Sequence, residues 1–189
     1  IMKISYAITV CNEFEEIQKL VNFLLLNKRE EDEIIILFDY NNGTTEVLDF
    51  LREKSVGEKI IFYKERFSNH FADWKNKLTE YCSGDYIFQI DADEIPHKLL
   101  MINLPIILEN NPDHEVYLVP RVNTVEGLTE SHIKKWGWQV NDKGWVNYPD
   151  YQYRIWKNKP EIKWKNKVHE VLGGYKTMSY LPIDEEWCL

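Results

Sequence analysis

Glycine is scarce at the front of this chain: there are eight in all, and none precedes Gly43. A P-loop and a glycine-rich dinucleotide turn both need glycines at the first strand–helix junction. P-loop kinases and Rossmann dehydrogenases are therefore disfavoured, as are sugar-activating nucleotidyltransferases with a glycine-rich first loop. Cysteine is sparse too. Cys11, Cys82 and Cys188 are scattered and odd in number, with neither zinc spacing nor a disulfide framework. That pattern suits a reducing compartment, the cytoplasm, and makes Cys11 and Cys82 small core residues. Long apolar runs are missing. The densest patch, Ile34-Ile-Ile-Leu-Phe38, falls far short of the roughly 18 residues of a membrane span, and no signal peptide is visible. Positive charge is in deficit, 23 Lys and Arg against 31 Asp and Glu for a net charge of −8. Non-specific binding to nucleic acid or to an anionic membrane is disfavoured by that balance. An acidic protein that handles phosphates needs a local cation, which favours a metal.

What is present is a folded composition. The 189 residues are 14% aromatic and 29% charged, enough for one domain with a sizeable core. The chain starts Ile1-Met2 and ends Trp187-Cys-Leu189, as expected of a domain cut from a longer protein.

Apolar periodicity divides the chain. Lys3 to Val10 reads as a strand and Phe14 to Leu26 as a helix, with apolar residues at 14, 17, 20, 21 and 24. Ile34 to Phe38 is a second strand ending on Asp39. A helix follows around Thr45 to Lys54, capped by Thr44 or Thr45. Lys59 to Tyr63 is a third strand, and His70 to Tyr81 a helix with Phe71, Trp74, Leu78 and Tyr81 on one face. Leu99 to Leu108 is an apolar helix expected to bend or end near Pro105, and Val116 to Val119 a further strand. Strands alternating with helices imply an α/β fold with a mostly parallel central sheet flanked by helices. From Arg121 on, periodicity fades. Trp136, Trp138, Trp145, Trp156 and Trp164 crowd into one window. The expectation is a nucleotide-binding half, 1–95, and an irregular, aromatic-rich acceptor and catalytic half, 96–189, within one domain.

The chain is organised around Tyr86-Ile-Phe-Gln-Ile-Asp-Ala-Asp-Glu94. Tyr86, Ile87, Phe88 and Ile90 make a buried strand that delivers Asp91 and Asp93 at its carboxyl end. Ligands of open α/β sheets sit beyond that end. Two carboxylates one residue apart suit a hard divalent cation, which takes oxygen ligands and bridges to substrate phosphates. The alternative is a plain polar strand end.

Five blocks together resemble the family 2 glycosyltransferases of GT-A fold. They are Ile8-Thr-Val-Cys-Asn-Glu13; Asp32-Glu-Ile-Ile-Ile-Leu-Phe-Asp39 with Asn42-Gly-Thr-Thr-Glu46; Phe71-Ala-Asp-Trp-Lys-Asn76 leading into Gly84-Asp-Tyr-Ile87; Asp91-Ala-Asp-Glu94; and Tyr148-Pro-Asp-Tyr-Gln-Tyr-Arg154 with Val168-His-Glu170. The likeness spans roughly residues 3 to 172. It is nearest to the subgroup of lipopolysaccharide-core β-glucosyltransferases, and small capsid-modifying glycosyltransferases of large algal viruses share the pattern. A viral origin would place the protein in the host cytoplasm. One departure is that Asp39 is followed by Tyr40-Asn41-Asn42-Gly43, a longer loop than the family's, so contacts past Asp39 do not carry over.

The resemblance implies sugar transfer from a nucleoside-diphosphate sugar, most often a UDP-sugar, to a hydroxyl of a glycan or glycoprotein acceptor. It implies Mn²⁺ or Mg²⁺, with Asp93 as a metal ligand and Asp91, beside Ala92, as a ribose or outer contact. His169 resembles the family's late histidine near the diphosphate, and an imidazole suits Mn²⁺ better than Mg²⁺. Asp39 resembles the residue that reads the base or ribose. The main chain at Thr9 and Val10 and the side chain of Glu13 line the same crevice. Lys75 stands where the family has a cation near the nucleotide. Inverting transfer needs a general base, and Asp150 is the candidate. Arg154, four residues on, shares its face if the strand is regular and would orient Asp150 or a phosphate. Each has a bland counterpart: His169 on the surface, Asp39 as a helix-approach cap, Lys75 solvated, and Asp150 with Arg154 as a structural pair. Some of Trp136, Trp138, Trp145 and Tyr151 could form an acceptor platform, although most buried tryptophans are simply core. The competing function is a non-catalytic sugar- or nucleotide-binding domain. The two part on whether Asp93, His169 and Asp150 converge on one cavity.

Overall fold

The computed structural model describes residues 1–189, the side chain of Glu58 excepted. The strands are β1 (Ile4–Val10), β2 (Glu33–Asp39), β3 (Ile61–Glu65), β4 (Tyr86–Asp91), β5 (Val116–Arg121), β6 (Asp150–Lys157), β7 (Lys163–Lys165), β8 (Val171–Gly173) and β9 (Met178–Tyr180). The helices are α1 (Phe14–Asn27), α2 (Thr45–Lys54), α3 (Phe71–Glu80), α4 (Lys98–Asn110) and α5 (Glu130–Trp136). Seven strands form one sheet in the order β3-β2-β1-β4-β6-β5-β9, and β7 and β8 form a separate hairpin. Strands β3, β2, β1 and β4 run parallel, β6 is antiparallel to both β4 and β5, and β9 is parallel to β5.

Alternation along the strands builds two cores. Tyr6, Ile8 and Val10, with Ile34, Ile36 and Phe38, face one side of the sheet, where Ile17, Leu20, Val21 and Leu24 of α1 and the buried faces of α2 and α4 meet them. Ala7, Ile35, Leu37 and Ile87 face the other, against Ala72, Trp74 and Leu78 of α3 and Trp164 and Leu172 of the hairpin. Each fully buried aliphatic of α1 contributes about 1.5–3 kcal/mol relative to exposure.

Local chemistry sets the ends. The Thr44 hydroxyl accepts from the Val47 amide at the start of α2, and the His70 Nδ1 accepts from the Asp73 amide at the start of α3. Gly43 donates to the Asp39 carbonyl at 2.8 Å. A Cβ on Gly43 would stand 2.3 Å from the Phe38 ring and 2.5 Å from that carbonyl, so only glycine lets the loop after Asp39 close this tightly.

Three expectations are corrected. Pro105 does not end its helix: α4 continues from Lys98 to Asn110 through it. Proline removes one backbone hydrogen bond, but Leu100, Met101, Leu104, Pro105 and Leu108 are buried together, and that packing holds the helix across the gap. The third strand starts two residues late, at Ile61, because pairing with β2 runs from Ile35–Ile61 to Asp39–Glu65. The second half is less irregular than its pattern suggests, since β5, β6 and β9 extend the same sheet. Strand β6 hides its period by burying Arg154, Ile155 and Trp156 in succession.

Candidate active site

Strands β1, β2 and β4 end at one level, with Thr9 paired to Leu37 on one side and to Asp91 on the other. Beyond those ends lies a cavity of about 450 Å³. Its floor is Thr9, Val10 and Cys11. Glu13, Asp39, Asp91, Asp93, Lys75 and Glu170 supply its polar wall, with Ala92 between the two aspartates. Of the residues expected around the nucleotide, Thr9, Val10, Glu13, Asp39, Lys75, Asp91, Ala92 and Asp93 line this cavity, and His169 does not. Sequence reading missed Asn42, Phe67, Phe71 and Trp74, which also line it. Phe67 packs on Phe71 and Trp74 with ring centroids 5.0 and 5.5 Å apart.

Asp39 is buried and fixed. Its Oδ1 accepts from the Asn41 amide at 3.1 Å and the Phe67 amide at 3.4 Å, and its Oδ2 from the Asn42 side chain at 2.8 Å. The Glu13 carboxylate accepts from the Cys11 amide at 2.7 Å, shaping the turn out of β1. Lys75 is only 15% exposed. Its Nζ lies 2.8 Å from Glu170 Oε1 and 4.2 Å from the centroid of the Trp164 ring. Asn76 beside it clamps the hairpin by donating to the Trp164 carbonyl and accepting from its amide.

The end of β4 is a reciprocal turn. The Glu94 amide donates to the Asp91 carbonyl at 2.9 Å, and the Asp91 amide donates to Glu94 Oε1 at 2.8 Å. This turn leaves Asp93 exposed, lining the cavity, without a hydrogen bond or ion pair among the described residues. Asp91 is held instead. Its Oδ1 accepts from Gln89 at 2.9 Å and its Oδ2 from Arg154 Nη2 at 3.0 Å. Burial pushes the Asp91 carboxyl up, yet Arg154, Gln89, Lys75 and Arg121 outweigh it and hold it below the usual carboxylate value. For Glu94 the balance reverses: burial dominates the Arg154 charge and raises the carboxyl.

Arg154 is not where a regular strand would put it. Tyr117 pairs with Ile155 but Leu118 pairs with Tyr153, so Arg154 is the extra residue of a β-bulge, which re-aims a side chain. It reaches across to β4, bonding Asp91 and Glu94 rather than Asp150. Asp150 finds other partners. Its Oδ2 accepts from Arg121 Nε at 3.0 Å, Arg121 Nη2 at 2.7 Å and Asn123 at 2.9 Å, and its Oδ1 from Gln152 at 2.8 Å. Burial raises the Asp150 carboxyl, but Asn123, Arg121 and Gln152 bring it below the ordinary value. Arg121 and Asn123, unsuspected in the sequence, line a second cavity of about 360 Å³ that shares Asp91 and Asp93 with the first and adds Glu94 and Thr124.

His169 does not join them, and Asp150 lines neither cavity, so the expected convergence of Asp93, His169 and Asp150 on one cavity is not found. The His169 side chain is exposed, the residue sits at φ 53°, and its neighbour Glu170 lines the cavity instead. Lys75 draws Glu170 inward through their ion pair. Among the described residues no group of three or more His, Cys, Asp and Glu side chains is arranged to hold a metal. The one unpartnered carboxylate here, among the described residues, is that of Asp93, which would fit a divalent ion only if the remaining ligands came from substrate phosphates and water. Of the tryptophans, Trp156 and Trp164 are core, Trp138 and Trp145 are half-buried, and Trp136 is 50% exposed.

The sequence model of Glycosyl transferase family 2 matches residues 5–185. The chain belongs to that family. The SPbeta prophage-derived glycosyltransferase SunS of Bacillus subtilis (strain 168) is 32% identical over 95 residues, covering 50% of this chain and 21% of SunS. The chain thus spans about a fifth of the length of that curated relative. Among solved structures, S. aureus TarS 1-349 in complex with UDP-GlcNAc aligns with a TM-score of 0.61 at 14% identity, covering 98% of this chain and 60% of TarS 1-349. The mannosyltransferase PcManGT of Pyrobaculum calidifontis, in complex with GDP-Man and Mn²⁺, aligns at 0.51 and 11%, covering 82% and 44%. These likenesses establish the GT-A fold for this family member.

Proposed function

We propose that the chain moves a sugar from a UDP-sugar to a hydroxyl of a glycan or glycoprotein acceptor, with inversion at the anomeric carbon. One observation carries this reading: two cavities meet at Asp91 and Asp93, and Asp150 stands beside the second through Arg121 and Asn123. The complexes of TarS with UDP-GlcNAc and of PcManGT with GDP-Man and Mn²⁺ support a nucleotide-sugar donor.

The first cavity takes the nucleotide. Asp39 accepts a hydrogen bond from the base, and Phe67, Phe71 and Trp74 offer it an aromatic wall. Lys75 offsets the diphosphate charge. Asp93 would hold Mn²⁺ or Mg²⁺ beside the diphosphate, and the ion would supply Lewis-acid stabilisation of the leaving group. The acceptor hydroxyl, in the second cavity, attacks the anomeric carbon from the face opposite the diphosphate. The new C–O bond forms as the bond to the β-phosphate oxygen breaks, the electron pair leaves with UDP, and the proton passes to Asp150. A carboxylate held below its usual pKa is a weak base. It suffices because the hydroxyl becomes strongly acidic as its bond to carbon forms.

The test is turnover with a panel of UDP-sugars, with the product anomer read by NMR. Inverted product, lost in Asp150→Asn while UDP affinity persists, supports the reading. Retained configuration or lost UDP affinity in that variant contradicts it.

A further inference from the structure

Glu94 has no role in the transfer just described, yet it is buried at the centre of the site's charges. Its Oε2 lies 3.2 Å from Arg154 Nη2 and 3.7 Å from Arg121 Nη1. Arg154 holds Asp91 at 3.0 Å, and Arg121 holds Asp150 at 2.7 Å. Three carboxylates and two guanidinium groups therefore alternate in one chain: Asp91, Arg154, Glu94, Arg121, Asp150. Its ends lie on β4 and at the start of β6, and Glu94 is the link between the donor-side and acceptor-side pairs.

We propose that Glu94 is a positioning residue: by binding both arginines it fixes Arg121, and through it Asp150, in register with the donor-side carboxylate Asp91. This rests on the reading of Asp150 as the base. The physical reason is that a buried guanidinium keeps one orientation only when its partners fix its fork. Without the Glu94 charge, Arg154 and Arg121 would face each other across the turn with no anion between them. Arg121, 31% exposed, would then be held by Asp150 alone, and the pair would be free to shift together relative to Asp91. The Glu94 carboxylate also accepts from the Asp91 amide, so one side chain ties the backbone of the Asp91–Glu94 turn to the acceptor wall.

The test uses Glu94→Gln, Asp150→Asn, the double variant and Arg121→Lys, each confirmed as folded by its circular dichroism and a cooperative melt. Arg121→Lys leaves the buried Glu94–Arg154 pair in place, so it keeps the question open if Glu94→Gln does not fold. Three readouts apply: kcat, UDP affinity by calorimetry, and the Arg121 Nε–Hε resonance. A misplacement of about 1 Å can cost about 100-fold in rate, so kcat in Glu94→Gln should fall about 10- to 100-fold with UDP affinity retained. Arg121→Lys should do the same. Residues acting as a unit are non-additive, so the double variant should be no slower than Asp150→Asn alone. The Arg121 resonance should shift in Glu94→Gln.

An unmoved Arg121 resonance or a wild-type kcat in Glu94→Gln overturns the proposal. So does a kcat loss matched by an equal loss of UDP affinity, which would make Glu94 a mere support of the Asp91 turn. If Asp150→Asn keeps full kcat while Glu94→Gln still shifts Arg121, the base assignment fails and the positioning link stands.

Discussion

Arg154 and Asp91, 63 residues apart in sequence, are joined at 3.0 Å between Nη2 and Oδ2. The bond fixes one of the two acids of the Asp-x-Asp step and leaves the other, Asp93, free. That asymmetry assigns different work to two residues the sequence presents as equivalents.

Arg154 is 3% exposed and is hydrogen-bonded to Asp91 and Glu94. Breaking a buried ion pair by removing one partner costs about 3–5 kcal/mol. Arg154→Met should lower unfolding free energy by about that amount in urea titration. A change below about 1 kcal/mol would mean the carboxylates find water or another cation.

Asp93 behaves oppositely. It has no protein partner among the described residues, so Asp93→Asn should leave unfolding free energy within about 0.5 kcal/mol. The same variant should weaken Mn²⁺-dependent UDP binding by at least the 10- to 100-fold typical of losing a metal's outer partner. His169→Ala should leave that binding unchanged, because the side chain lies outside the cavity. Calorimetry on the two variants separates the roles, and a large loss in His169→Ala would show the loop closing over the donor.

Lys75 and Glu170 form a pair at the cavity wall, 2.8 Å apart. Lys75→Met removes a cation from the diphosphate and leaves Glu170 as an added negative charge, so UDP affinity should fall about tenfold, or 1.4 kcal/mol. Adding Glu170→Gln should recover part of the loss. No recovery would mean Lys75 acts on UDP independently of Glu170.

Acid should destabilise the fold. Burial raises the carboxyls of Asp91, Asp150, Glu33 and Glu170, but hydrogen bonds and cations hold all four below their ordinary values of 3.8 and 4.5. A carboxyl depressed in the folded state binds fewer protons there than in the unfolded chain. Its contribution is present above the unfolded value and is lost as pH falls through the folded one. Glu94, raised, opposes them. The urea midpoint should therefore drop as pH falls below about 4.5, and less steeply in Asp150→Asn. A flat midpoint from pH 6 to about 3 would contradict the depressed values.

Much of this could be read from residue order. The α/β alternation followed from apolar periodicity, and α2 lies where Thr44 and the spacing put it. Asp39, Asp91 and Asp93 were legible because each ends or follows a buried strand, whereas Thr9, Val10, Glu13 and Lys75 came from the family resemblance. What was hidden depends on pairing between distant segments. A bulge at Arg154 is visible only once β6 lies between β4 and β5, and it turns the expected partner of Asp150 into the partner of Asp91. Arg121, Asn123 and Glu94 carry no local signal, since an arginine at a strand end or a glutamate in a turn is ordinary. The inward turn of Glu170 rather than His169 depends on Lys75, nearly a hundred residues earlier.

The central claim is that the first cavity binds a nucleoside diphosphate through a metal at Asp93. Calorimetric titration of UDP, GDP and dTDP, each with Mn²⁺ and with chelator, tests it most directly. The account predicts UDP binding that needs the metal and weakens in Asp93→Asn. Binding of no nucleotide with Mn²⁺ present, or UDP affinity unaffected by chelator, would contradict it.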